Sequence, residues 1–233
     1  PVPYEYYEKY GVRKYGFHGT SHMFVSKRLS EIVKKDIKDL KIVTCHIGQG
    51  ASICAVKGGK SIDTSMGLTP LAGIPMVTRS GDLDPSVVTY LMKKENLSVE
   101  QIEEILNKKS GLQGISGLAP DFREIEAESH SNERAKIAIE KFNYEIASFI
   151  AKYAMAMDGV DYIIFTGGIG ENQSNIRKGI CEKLGFMGVK IDDKLNQTRG
   201  EEKEISSQDS EIKVYVVPTD EELMIAKETQ RLI

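Results

Sequence analysis

Residues 40–65, LKIVTCHIGQGASICAVKGGKSIDTS, confine the fold more tightly than any other stretch of the chain. LKIVTCH reads as a buried strand, and ASICAVKGGKSIDTS as a second strand, a Gly58-Gly59 turn and a return strand. Connections this short join antiparallel neighbours, so the three segments make a meander. Between the first two strands, His46-Ile47-Gly48-Gln49-Gly50 sets two glycines where each loses backbone entropy and packs nothing. What such glycines allow is close approach: backbone N–H groups with no Cβ beside them can reach a phosphate.

The last third of the chain alternates strand and helix. DYIIFTGGIGEN is a strand ending in glycines, NQSNIRKGICEKLG a helix, GVKID a short strand, IKVYVVPTD another strand and EELMIAKETQRLI a terminal helix. The polar stretch 195–211 reads as a solvated loop. Near the start, Thr20 or Ser21 can cap a helix on which Phe24, Val25, Leu29, Ile32 and Val33 recur at helical spacing. After the meander, MGLTPLAGIPMVTRSGDLDP is too rich in Gly and Pro for regular structure and too apolar for a linker, which predicts an ordered, buried loop. Asp84-Pro85 begins a helix to about Lys94, and Ser98 with Gln101 forms a capping box for a helix ending near Gly111. Ser131 or Asn132 opens a long helix to about Asp158, apolar over much of its surface and so packed between layers. The result is one α/β domain with a mixed sheet and a helical insertion at about 85–158.

Composition narrows the function. Lys plus Arg (31) nearly balance Asp plus Glu (34) in 233 residues, and no long basic run occurs, which argues against a nucleic-acid or anionic-membrane surface. A small ligand is the expectation. Cys45, Cys54 and Cys181 form no CxxC pair and are odd in number, as suits reduced thiols in a cytoplasm. No apolar run approaches the roughly 20 residues of a membrane helix. The chain begins at Pro1 and runs at once into Tyr4, Tyr6, Tyr7 and Tyr10, which reads as the interior of a longer polypeptide.

Three glycine turns stand out: His46 to Gly50, Gly114-Ile115-Ser116-Gly117, and Gly167-Gly168-Ile169-Gly170-Glu171-Asn172. Each can present backbone donors to a phosphate or simply shape a turn. GxxxxGK[ST] is absent, and GxGxxG fails because Gln173 follows Asn172. Arg79, inside the apolar loop, calls for an anion, either a ligand or Asp82 or Asp84. His18 and His22 flank GTS, where a histidine can donate to a charged transition state or serve structure. With His46 they show no HExxH or tight ligand spacing, against a zinc site, and His130 lies in a polar, solvated segment. In Asp121-Phe122-Arg123 the acid can be an N-cap and the ring core. Glu221 and Glu222 open the terminal helix, where they complement its dipole or hold magnesium directly or through water.

Taken in order, GFHGTSH, CHIGQGAS, DTSMGLTPLAGIPMVTRSGDLDP, ISGLAPDFREIE, FTGGIGEN and PTDEELMIA resemble the C-terminal half of the acetate kinase family, within the acetate and sugar kinase, actin and heat-shock ATPase superfamily. The resemblance implies a ribonuclease H-like, actin-like ATPase domain that binds nucleotide and forms a homodimer. It also implies reversible phosphoryl transfer between ATP and acetate, giving ADP and acetyl phosphate with magnesium. By that resemblance His18 stabilises the transferring phosphoryl and Arg79 holds acetate or phosphoryl oxygens. His46, Ile47, Gly48, Gln49 and Gly50 lie beneath the β- and γ-phosphates; Asp121, Phe122, Arg123, Gly168, Ile169, Gly170, Glu171 and Asn172 surround the adenosine; Glu221 positions magnesium. Leu68, Pro75 and Val77 are candidates for the acyl wall. Propionate or butyrate as acceptor, and a catalytically silent nucleotide-binding or dimerisation module, are the alternatives. Two departures stand against the family pattern: its N-terminal half is not in this chain, so the isolated polypeptide is expected to have little kinase activity, and Gln49 replaces the asparagine of HxGNG.

Overall fold

The computed structural model describes residues 1–232. After a short helix α1 (Glu5–Tyr10) and a longer α2 (Gly19–Val33), the chain enters the meander as β1 (Lys41–Ile47), β2 (Ala51–Lys57) and β3 (Lys60–Thr64). Five helices follow: α3 (Pro85–Glu95), α4 (Val99–Lys108), α5 (Gly111–Ser116), α6 (Phe122–Glu128) and α7 (Glu133–Met157). The last third is β4 (Tyr162–Thr166), α8 (Gly167–Asn172), α9 (Ser174–Glu182), β5 (Lys203–Glu204), β6 (Lys213–Val216) and α10 (Glu221–Leu232). The six strands form one sheet in the order β3-β2-β1-β4-β6-β5. β1, β2 and β3 pair antiparallel, whereas β4 lies parallel to β1 and β6 parallel to β4. This is the mixed, ribonuclease H-like sheet implied above, with the two-residue β5 closing its far edge.

Strand alternation divides the sheet into two faces. Val43, Cys45, Ile47, Ile53, Ile163 and Phe165 project to one side and form a core with Phe142, Ile146, Ile150 and Tyr153 of α7. Ile42, Cys54, Val56 and Ile164 project to the other, against Val25 and Leu29 of α2. α7 is buried along one face and not between two layers, since Ile137, Tyr144 and Met155 are exposed; Asn132 caps it by accepting the N–H groups of Arg134 and Ala135, and Asp158 ends it in the left-handed region at φ 59°. The capping box at Ser98 and Gln101 and the Asp84 cap of α3 form as expected. Cys45, Cys54 and Cys181 are buried free thiols. Among the described residues no helix is long and apolar enough to cross a membrane.

Several local expectations fail for identifiable reasons. α2 is entered through His18 at φ 58°, ψ 25°, not through a Thr20 or Ser21 cap, because the Ser21 hydroxyl is engaged by His46 at 2.8 Å. Gly114 is not in a phosphate turn: it lies inside α5, which Gly117 ends at φ 74°. GVKID forms only isolated bridges at Val189 and Ile191, since the Lys190 N–H is taken by the Ser210 hydroxyl. The polar stretch 195–211 is not fully solvated; Asn196, Ile205, Ser206 and Ser210 are buried in it. Its anchor is Arg177 of α9, which donates to Asn196 and Thr198. The tyrosine-rich lead forms α1, which buries no residue, and stacks Tyr6 on Tyr10 at 6.2 Å between ring centroids.

Candidate functional site

The face of the sheet under α2 changes character along its length. Beside Val25 and Leu29 it is apolar; one turn earlier in α2 and two residues further along β1 it becomes polar. Thr44 and His46 of β1 and Ser52 of β2 share this face, opposite Ser21 and His22 of α2 and the helix-entry residue His18. His22 joins Thr44 Oγ1 through Nδ1 at 2.7 Å and Ser52 Oγ through Nε2 at 2.8 Å. His18 Nδ1 reaches the same Ser52 Oγ at 2.9 Å. His46 Nδ1 meets Ser21 Oγ, and its ring stacks on His18 with centroids 4.1 Å apart.

Packing three imidazoles in one partly dry layer favours their neutral forms. Burial, then the neighbouring His46, draws His18 down to about 4, against a pull upward from the Glu221 carboxylate. Burial takes His46 to about 4, and burial followed by the other two rings takes His22 to about 3. At neutral pH each ring therefore carries one N–H and one lone pair.

The loop after β1 closes tightly, Gly48 N–H donating to Gly50 O at 3.1 Å. A Cβ placed on Gly50 would lie 3.1 Å from Arg79 Nη1 and 3.6 Å from His18 Nε2. A neutral N–H carrier and a permanent cation thus converge over the bare α-carbon of Gly50. Arg79 is held there by its backbone: its carbonyl accepts the Met76 N–H at 3.0 Å, and the turn at Gly111 (φ 62°) packs against it so closely that a Cβ would fall 2.6 Å from that carbonyl. The alternative anions are engaged elsewhere. Asp82 accepts the Gly73 N–H at 2.8 Å, and Asp84 accepts the Ser86 N–H. Among the described residues Arg79 has no carboxylate partner, and Nη1 touches only the Pro70 carbonyl at 3.5 Å and the Met76 sulfur at 3.6 Å. Its charge is available to a ligand.

On the other side of the Gly48–Gly50 loop a cleft of about 420 Å³ is bordered by Gly48 and Gln49 and extends to Pro120, Asp121, Gly168 and Asn172. A Cβ on Gly168 would meet no atom within 4 Å, so the wall here is bare backbone. Asp121 caps α6 and pairs on the surface with Arg123 at 2.9 Å. Arg123 and Gln49 are exposed. Ile47 and Phe122 are core residues that bring backbone to the site, Phe122 packing on Phe142. Gly170 is buried behind the cleft. Glu171 is scaffold: its Oε1 accepts the N–H groups of Gly167 at 2.8 Å and Thr219 at 3.3 Å, tying α8 to the segment before α10. Glu221, exposed at the start of α10, is near enough for its charge to act on His18 and has no basic partner among the described residues. Of the acyl-wall candidates, Val77 is buried and borders the cleft, Pro75 is buried and Leu68 is exposed. Most of the sequence candidates therefore divide between the His18–Arg79 pair over Gly50 and the cleft bordered by Asp121 and Gly168, with the Gly48–Gly50 loop between them. A second, more apolar cavity of about 350 Å³ lies behind His22, bordered by Tyr15, Phe17 and Met23.

The sequence does not single out Thr44, Ser52 or Arg177, and it offers Ser21 only as a helix cap. The first two sit at alternate strand positions on the His46 face, a period-two signal that could have found them. Arg177 falls on the buried arc of α9, between Ile176 and Ile180.

The sequence pattern of the acetokinase family matches residues 1–227. An acetate kinase of Thermoanaerobacter pseudethanolicus is 57% identical over 235 aligned residues, covering 100% of this chain and 59% of that protein. One from Methanosarcina barkeri is 54% identical, covering 100% and 57%. The crystal structure of Porphyromonas gingivalis acetate kinase superposes with TM-score 0.95 at 50% identity, covering 99% of this chain and 58% of that one. A propionate kinase from Francisella tularensis superposes with TM-score 0.92 at 46% identity, covering 100% and 59%. The chain thus spans less than two thirds of the length of these relatives.

Proposed function

The chain belongs to the acetokinase family, and from that premise we propose that it is the nucleotide-holding part of an acetate kinase, catalysing reversible transfer of a phosphoryl group from ATP to acetate. The observation that carries this reading is the convergence of His18 Nε2 and Arg79 Nη1 over Gly50, in the same loop as the Gly48 and Gln49 that border the cleft. In the forward direction an acetate oxygen attacks the γ-phosphorus, the bond to the β,γ-bridging oxygen breaks, and ADP leaves with that electron pair. The protein has little covalent work in such a transfer; it aligns the reactants and offsets charge on the phosphoryl oxygens. Arg79 supplies a fixed positive charge and His18 a neutral N–H at the same point. Gly48 to Gly50 place backbone beneath the phosphates, and Gly168, Ile169, Asn172 and Asp121 to Arg123 border the adenosine.

Magnesium fits this arrangement as a partner of the phosphates rather than of a protein cage. Among the described residues no three His, Cys, Asp or Glu side chains cluster to hold an ion alone. Glu221 offers one carboxylate, and the buried Thr219 hydroxyl oxygen, two residues earlier, has no hydrogen-bond partner among the described residues and can engage a hydrated cation. Bound there, magnesium would neutralise charge on the β- and γ-oxygens. In the complete enzyme an N-terminal part of the kind the relatives carry closes the acetate side, so this chain alone turns over little. We assign the enzyme to the cytoplasm as a homodimer: the three thiols are free and buried, and α3 buries none of its own side chains while exposing Val87 and Tyr90.

Calorimetric titration of the chain with ADP and magnesium tests the nucleotide site. One site is expected, and absence of binding would contradict the reading. Gln49→Asn returns the amide to the position set by a shorter side chain, a shift of about 1 Å; affinity is expected to rise on the order of tenfold. An unchanged constant would mean that Gln49 is peripheral.

A further inference from the structure

The polar layer under α2 contains a connected row of four groups, of which only the last, His18, is half-buried, over Gly50. Thr44, His22 and Ser52 are buried, at 0%, 4% and 0% exposure. They join in the order Thr44 Oγ1, His22 Nδ1, His22 Nε2, Ser52 Oγ, His18 Nδ1, through contacts of 2.7, 2.8 and 2.9 Å. Each hydroxyl has one proton, and each neutral imidazole has one N–H. Ser52 could accept from both rings, but its own buried proton would then have no acceptor, because its hydroxyl meets only the two imidazoles; the row can therefore be filled in two ways.

If protons point inward, His18 donates from Nδ1 to Ser52, Ser52 to His22 Nε2, and His22 from Nδ1 to Thr44. The Thr44 proton is then left with the Cys54 carbonyl at 3.5 Å, at the limit of a hydrogen bond, or with the neighbouring thiol, a weak acceptor. If protons point outward, Thr44 donates to His22 Nδ1, His22 Nε2–H to Ser52, and Ser52 to His18 Nδ1. The one proton left over is then on His18 Nε2, at the half-buried end of the row over Gly50, where solvent or a ligand can accept it, and not in the core. His18 must then carry its proton on Nε2, the nitrogen that faces Arg79 across Gly50.

We propose that Thr44, His22 and Ser52 are positioning residues that lock His18 as the Nε2–H tautomer, so that it meets the transferring phosphoryl group as a donor and never as a lone pair. The role rests on the phosphoryl-transfer reading above, although the tautomer itself does not. A lone pair aimed at phosphoryl oxygens would repel them, whereas an N–H aimed at them stabilises the charge, so the row sets the sign of the interaction. The left-handed backbone of His18 serves the same end, since φ 58° turns the side chain from the start of α2 toward Ser52.

Two measurements on the same variants test this. In the ¹⁵N-histidine spectrum of the 233-residue chain, His18 is expected to be protonated at Nε2, and in Ser52→Ala to become a mixture of tautomers. Thr44→Val, which keeps shape and removes the hydroxyl, is expected to shift it the same way, while Thr44→Ser restores it. In the complete enzyme, Ser52→Ala and Thr44→Val are expected to lower kcat about tenfold to a hundredfold, with both KM values within about twofold. Protonation at Nδ1 in the unaltered chain would overturn the proposal, as would a loss of kcat with the tautomer unchanged. Were the complete enzyme to transfer no phosphoryl group while the tautomer behaved as described, the functional reading would fail and the hydrogen-bond row would stand.

Discussion

Gly168→Phe is expected to weaken ADP binding by at least about a hundredfold, near 3 kcal/mol, while the unfolding temperature of the chain stays within about 2 °C. The reasoning is steric and local. A Cβ at this position meets no atom within 4 Å and Gly168 borders the cleft of about 420 Å³, so a ring built from it extends into open ligand space and leaves the core untouched. Its neighbour is the control. Gly167 has φ 77°, and a Cβ there would lie 2.9 Å from the Ile47 carbonyl, so even Gly167→Ala is expected to destabilise the native state. Two adjacent glycines should thus separate cleanly, one by nucleotide titration and the other by thermal melting. Unimpaired ADP binding by Gly168→Phe would move the nucleotide out of this cleft.

Arg177→Met is expected to cost about 3–5 kcal/mol of folding stability, measured by urea unfolding. Arg177 is wholly buried, yet no carboxylate pairs with it among the described residues. Its guanidinium instead donates to the carbonyls of Gly170 and Glu171 at 2.9 Å each, to Asn196 Oδ1 at 2.8 Å, to Thr198 O at 3.0 Å and to Asn196 O. Desolvation draws its pKa down to about 10, which still leaves it charged at neutral pH. Methionine fills much of the volume and leaves all five acceptors without that donor. Because two of them belong to α8, the loss should loosen the Gly168 wall and weaken ADP binding as well. A destabilisation below about 1 kcal/mol would show that the 195–198 segment is held by something other than this side chain.

What could be read from the sequence follows from the range of the forces involved. The meander, the ends of α7 and the capping box are set by strand alternation, helical spacing and caps within a few residues, and these signals are written locally. Arg79 was marked by its apolar loop, but whether its charge was spent on Asp82 or Asp84 depended on which backbone N–H groups those acids would find. Gly114 carried the same signature as Gly48 and Gly168, yet α5 absorbs it into a helix. The burial of 195–211 was hidden because its cause, Arg177, lies about twenty residues upstream and looks in sequence like any helical arginine. Likewise the Ser21 hydroxyl was assigned to a cap until the fold offered it His46, and the Thr44–His22–Ser52 row joins residues from three elements. The family motifs gathered the candidate list; the roles within it, scaffold for Glu171 and core for Ile47 and Phe122, emerged only from packing.

On the function proposed above, the chain holds ATP so that His18 and Arg79 meet its γ-phosphoryl group as acetate attacks. The most direct test is acetyl phosphate formation from ATP, magnesium and acetate, trapped as the hydroxamate, by the complete enzyme and by its Arg79→Leu variant. Robust formation that falls by about a hundredfold or more in the variant, as for removal of a principal charge-stabilising donor, is the expected result. Undiminished formation without Arg79, or no acetyl phosphate from the complete enzyme, would contradict the account.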